Sequence, residues 1–101
     1  VAQTILRQLG GRSFRMMVGA KKMNYVREKM GGIQFNVGAG AKNPDGFSVN
    51  RVKIVLNYND YYDIHFGYKR GRIRWKKTIE DVFVADLIDV FEDNTGMYTS
   101  L

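Results

Sequence analysis

Three times between Arg51 and Lys77 the chain alternates apolar and polar residues: at Val52, Ile54 and Leu56, at Tyr62, Ile64 and Phe66, and at Ile73 and Trp75. Successive side chains of a strand point to opposite sides of a sheet, so each run predicts a strand with one face in a core. Asn57 to Asp60 and Gly67 to Gly71 supply turn residues between the runs. The third run, Lys69-Arg70-Gly71-Arg72-Ile73-Arg74-Trp75-Lys76-Lys77, sets Arg70, Arg72, Arg74 and Lys76 on one side and Ile73 and Trp75 on the other. The expected arrangement turns the apolar pair inward and the cations outward. Trp75 has a second reading, as a stacking residue among the arginines, which requires the opposite phase for this strand.

Ile33, Phe35 and Val37 predict a further strand, and Phe14, Met16 and Val18 another that starts at Arg12. Lys22 to Lys29 reads as a weak strand or loop. Ile5, Leu6 and Leu9 stand at helical spacing before Gly10-Gly11, predicting a short N-terminal helix. The glycine-rich stretch from Gly38 to Gly46 contains Asn43-Pro44-Asp45-Gly46, suited to a type I turn in a mobile loop. Thr78 with Asp81 reads as a capping box opening a helix on which Val84, Leu87, Ile88 and Phe91 face inward and Asp86, Asp89 and Asp93 face water. That helix is expected to end near Gly96, with Met97 and Tyr98 of the tail 97–101 packing on the core. Gly10-Gly11-Arg-Ser-Phe14 and Gly31-Gly32-Ile-Gln-Phe35 echo one another, as a duplicated strand or as similar turn chemistry. The fold class is α+β: a single domain over residues 1–101, with a twisted antiparallel sheet of about four to five strands backed on one face by the two helices.

The net charge of +6 conceals a strong separation. All sixteen Lys and Arg residues lie between Arg7 and Lys77 with only four acids among them, a local net of +12, whereas the last 24 residues carry six acids and no base. Phosphate affinity needs several spaced cations, and sequence-tolerant single-strand binding adds flat side chains for stacking. The predicted open sheet face offers both. Its candidate nucleic-acid contacts are Arg15, Arg51, Lys53, Tyr61, His65, Arg70, Arg72, Arg74 and Lys76, with Gln34 and Asn36 able to bond to bases. Cations on an exposed strand also deter edge pairing, a purpose that one or two would serve.

Other chemistries find less support. With no cysteine and one histidine, disulfides, thiol catalysis and the usual zinc ligand sets are excluded, and no cofactor is expected. Gly38-Ala39-Gly40-Ala41-Lys42 and Val18-Gly19-Ala20-Lys21 lack the spacing of a phosphate-binding Walker loop, though the first can serve as a flap on a nucleic-acid backbone. Tyr61, Asp63 and His65 share one side of a predicted strand without a second histidine or clustered carboxylate, so a non-enzymatic protein is expected. No apolar run approaches the roughly 20 residues needed to cross a bilayer, and no secretory leader is recognisable; the expected location is the bacterial cytoplasm, away from membranes.

Ile5-Leu6-Arg7-Gln8-Leu9-Gly10-Gly11 with Phe14 and Met17-Val18-Gly19-Ala20-Lys21, followed by Val52-Lys53-Ile54-Val55-Leu56-Asn57, Tyr62-Asp63-Ile64 and the closing Thr95-Gly96-Met97-Tyr98-Thr99-Ser100-Leu101, resembles small proteins encoded by bacteriophages and prophages. The resemblance spans almost the whole chain and implies a mobile-element origin, with no catalytic residues to carry over. In shape alone, a twisted sheet backed by a terminal helix looks like the transcriptional-coactivator and Whirly type of single-stranded DNA binder. The leading expectation is a protein that binds single-stranded DNA or RNA through its basic sheet face. The alternative is a phage-encoded inhibitor that binds a host defence complex. Homo-oligomerisation, with the acidic helix of one copy on the basic sheet of another, is a further possibility.

Overall fold

The computed structural model describes residues 1–99. Its first helix, α1 (Ala2–Leu9), buries Ala2, Ile5, Leu6 and Leu9 along one stripe and stops at Gly10, whose φ of 124° an L-residue rarely adopts. The stretch expected to follow as a strand is instead a second helix, α2 (Gly11–Val18). Phe14 and Val18 are consistent with either period, being both two steps of a strand and one helical turn apart. Met16 decides between them: a strand would bury it with Phe14 and Val18, yet it is 77% exposed. Gly19, in the left-handed region at φ 62°, caps the helix.

Five strands follow: β1 (Lys21–Val26), β2 (Gly32–Asn36), β3 (Arg51–Leu56), β4 (Tyr62–Arg70) and β5 (Arg72–Val82). They form an antiparallel sheet in sequence order, so β1 and β5 are its edges. Asn57 closes the β3–β4 turn, its side-chain oxygen accepting from the backbone N–H of Asn59 at 2.9 Å and of Tyr61 at 3.1 Å. The stretch from Gly38 to Gly46, expected to be a mobile loop, is tied to the body. Asn43 is buried and donates to the Asn94 backbone oxygen at 3.0 Å and side-chain oxygen at 3.1 Å, and Lys77 Nζ lies 3.0 Å from Asp45.

The expected capping box at Thr78 does not form. Strand β5 continues to Val82, and the helix starts later, as a 3₁₀ turn (Val84–Asp86) running into α3 (Leu87–Thr95). The Thr78 hydroxyl instead bonds His65 across the sheet at 2.8 Å. Leu87 and Phe91 enter the core as predicted, whereas Val84, before the helix proper, stays 53% exposed. Of the tail, Met97 packs against the core and Tyr98 is exposed; Ser100 and Leu101 lie outside the described residues.

All three helices cover one sheet face, where Phe14 of α2 meets Phe35 of β2 and Phe91 of α3 edge-on, both at 5.4 Å between ring centroids. The two glycine echoes are a helix in one case and a strand in the other, so they record turn chemistry. Their trailing segments touch: the Gly38 N–H donates to the Val18 oxygen at 2.8 Å, and Gly19 and Gly38 pack backbone to backbone. Among the described residues no helix is long and apolar enough to cross a membrane.

Candidate nucleic-acid interface

Strand parity fixes which side each candidate faces. On β4, Tyr62, Ile64 and Phe66 point to the helices, so Tyr68 and Arg70 continue on that side and Asp63, His65, Gly67 and Lys69 face away. Arg70 pairs with Arg72 and Tyr68 with Arg74 across the β4–β5 turn, which keeps Arg72 and Arg74 on the helix side too. The register then slips: Gly67 pairs with Trp75 but Phe66 with Lys77, so Lys76 is the extra residue of a bulge. Below this bulge Ile79 packs towards the core; above it Ile73 and Trp75 face away from the core.

The single basic platform expected from the sequence is therefore split. Arg70, Arg72, Arg74 and Lys76 do share one side, but it is the side opposite Arg51, Lys53 and His65. Ile73 and Trp75, expected inside, are only half-buried on the open face. The opposite phase that the second reading of Trp75 requires is the one observed, but the indole is not beside Arg70, Arg72 and Arg74, which occupy the other face. The Trp75 ring has Lys53 Nζ 5.0 Å from the centroid and the His65 ring at 6.0 Å.

The open face is also largely neutralised. Lys53 Nζ bonds Glu28 at 2.7 Å, and Lys29 Nζ bonds the buried Asp63 carboxylate at 2.8 Å. Arg51 is only 7% exposed. Its guanidinium bonds Asn36, and Gln34, oriented with its amide oxygen inward, accepts from Arg51 Nε and Nη2 at 2.9 Å each. Burial and the nearby Lys53 cation hold His65 below its usual range, so it carries little charge at neutral pH. A phosphate approaching Arg51, Lys53 and Lys29 meets cations that already have partners; Lys69, on the same side, lies out on the β4–β5 end of the sheet.

Two other candidates lie elsewhere. Tyr61 stacks edge-on with Phe83 at 4.7 Å, beyond the end of the sheet face. Arg15, exposed on α2, lies with Met23 and Tyr25 beside β1, at the sheet edge opposite the basic strand.

What remains is a ribbon. Strand β3 pairs with β4 only as far as Gly67, so Tyr68–Arg70 and Arg72–Arg74 overhang the sheet as two strands, reaching roughly 10 Å at the usual rise per residue. Asn50 secures the base of the overhang, donating to the Lys69 oxygen at 3.0 Å and accepting its N–H at 2.6 Å. On the helix side of this ribbon, where no helix reaches, Arg70, Arg72, Arg74 and Lys76 border an open cleft of about 450 Å³ with Tyr68, Phe47 and Ser48. None of these four cations has an acidic partner within 4.0 Å among the described residues.

Tyr68 and Phe47 were not among the sequence candidates. Tyr68 was recoverable from parity, being two residues after the core Phe66 and two before Arg70. Phe47 was not, since it reaches the cleft from an irregular loop. Among the described residues no three His, Cys, Asp or Glu side chains gather as a metal site requires. No protein-family model, curated protein or solved structure matches the chain.

Proposed function

We propose that this protein binds single-stranded nucleic acid, through the β4–β5 ribbon and not through the open sheet face. The observation that carries the reading is the set of four cations, Arg70, Arg72, Arg74 and Lys76, with no acidic partner among the described residues, around one cleft that also holds Tyr68 and Phe47. Cations at every second position can follow a phosphate backbone, and the two aromatic rings give bases a flat surface on which to stack. The Tyr68 and Phe47 rings beside the cations favour a flexible single strand over a duplex, which would present only its backbone and groove edges to the ribbon.

Fluorescence anisotropy with labelled single-stranded DNA, duplex DNA and RNA across a salt series tests this. Single strands should bind most tightly at low salt. Replacing Arg72 and Arg74 together by Gln should weaken binding and flatten the salt slope by roughly 1.4, about 0.7 for each lost phosphate contact. Unchanged affinity in a folded double variant, or no binding by the parent protein at low salt, overturns the reading.

A further inference from the structure

The cation-lined cleft does not end at Tyr68. A second depression of about 530 Å³ shares Tyr68 and Ser48 with it and runs on towards the 38–42 loop. Its chemistry is different. Val37, Ala41 and Val49 line it but are buried, so its accessible apolar contacts are the Tyr68 ring and Ala39; Lys42 and Lys69 are the cations among its lining residues, and the Asn50 side chain is already committed to the Lys69 backbone. At its rim the backbone N–H groups of Ala39 and Gly40 have no backbone acceptor among the described residues. Four crowded cations on one side of Tyr68 and a less charged, mixed hollow with free donors on the other match the two halves of a nucleotide: charged phosphate, and flat base with a polar edge.

We infer that this second depression is a nucleobase subsite. A strand whose phosphates lie along Arg70, Arg72, Arg74 and Lys76 turns one base past Tyr68 onto Ala39, above the buried Val37, Ala41 and Val49, where the Ala39 and Gly40 N–H groups face its acceptor edge. The inference rests on the nucleic-acid reading above and adds to it a second site, beyond the Tyr68 and Phe47 rings, where backbone donors meet the polar edge of one base. Ala39 is exposed, so a bulky residue there fills the hollow without entering the core.

The test uses the full chain with a thymidylate pentamer and its abasic counterpart, followed by methyl NMR and by affinity. The intact pentamer should shift the methyls of Val37, Ala41 and Val49 and bind roughly tenfold tighter than the abasic one, the scale of one stacked base. In Ala39→Trp that preference should shrink severalfold. If the intact pentamer perturbs only Tyr68 and the arginine-lined cleft, or if Ala39→Trp retains the full preference, the base subsite is overturned while backbone binding stands. If neither pentamer shifts any signal at low salt, the nucleic-acid reading falls and the subsite with it.

Discussion

Arg70 stands directly across from Arg72 in the β4–β5 ladder, with their side chains on the same face and no carboxylate within 4.0 Å of either among the described residues. Like charges at opposed positions of an antiparallel pair are unfavourable by roughly 0.2–1 kcal/mol. A pairing that destabilises the ribbon is understandable where a polyanion relieves it.

Replacing Arg72 by Thr, a good strand former, should raise unfolding stability by about 0.5 kcal/mol in low-salt urea titrations. The gain should fade towards 1 M salt, where the Debye length falls to about 3 Å. The same variant should bind single strands more weakly. A loss of stability at low salt would show that Arg72 makes favourable contacts in the free protein and would remove the sign of latent strain.

Arg51 makes the opposite prediction, although it carries the same charge. Its guanidinium is buried and bonded to Asn36 and Gln34, so Arg51→Met strips both amides of a charged donor. Hydrogen bonds to charged groups contribute about 1.5–3 kcal/mol, and the variant should lose stability on that scale in urea titrations. The slope of log affinity against log salt should not change, because no phosphate contact is lost. A flattened slope would place Arg51 on the ligand.

These two arginines show what the sequence could disclose. Period-two alternation identified β2, β3, β4 and the upper half of β5 because one side of each is apolar for several steps. It also placed Arg70, Arg72, Arg74 and Lys76 together. It failed on which way they face, because apolar Ile73 and Trp75 were assigned to the core on hydrophobicity alone. Counting from Phe66 through Tyr68 to Arg70, and across the turn at Gly71, gives the observed phase. The bulge at Lys76 was not legible, since one extra residue leaves no mark in composition. Nor could the sequence reveal that Glu28 and Asp63 neutralise Lys53 and Lys29, contacts made between residues 25 and 34 positions apart. On α2, Phe14 and Val18 satisfied two periods at once, and only exposed Met16 discriminates.

Gly67 illustrates a constraint from packing on the open face. A Cβ built there would lie 2.7 Å from the Arg74 carbonyl oxygen and 2.8 Å from the Trp75 ring, so the indole lies where a side chain on residue 67 would be. Gly67→Ala should destabilise the protein by about 1–3 kcal/mol, the usual scale of overpacking, and should alter Trp75 fluorescence as the ring shifts. In a Trp75→Val background the same change should cost measurably less, although the clash with the Arg74 oxygen persists. Equal costs in both backgrounds would mean that the backbone clash alone sets the penalty.

Asp63 supplies the pH dependence. Burial works to raise its pKa, but bonds from Lys29, from Asn57 at 2.9 Å and from the Asp81 N–H at 3.1 Å together hold it below the usual aspartate value. Lys29 is held above the usual lysine value by that same carboxylate. A carboxylate with a depressed folded pKa contributes stability above its unfolded value and loses it as pH falls through the folded one. Unfolding free energy should therefore decline as pH drops from about 4 towards 2, and on the alkaline side Lys29 should release its share only as pH climbs past about 10.5. Asp63→Asn should be less stable at neutral pH, losing hydrogen bonds to a charged group, an effect of about 1.5–3 kcal/mol. Its acid decline should also be shallower, since residue 63 no longer takes up a proton on unfolding. Urea titrations of both proteins between pH 2 and pH 7 measure this, and parallel acid limbs would mean that Asp63 does not govern acid unfolding.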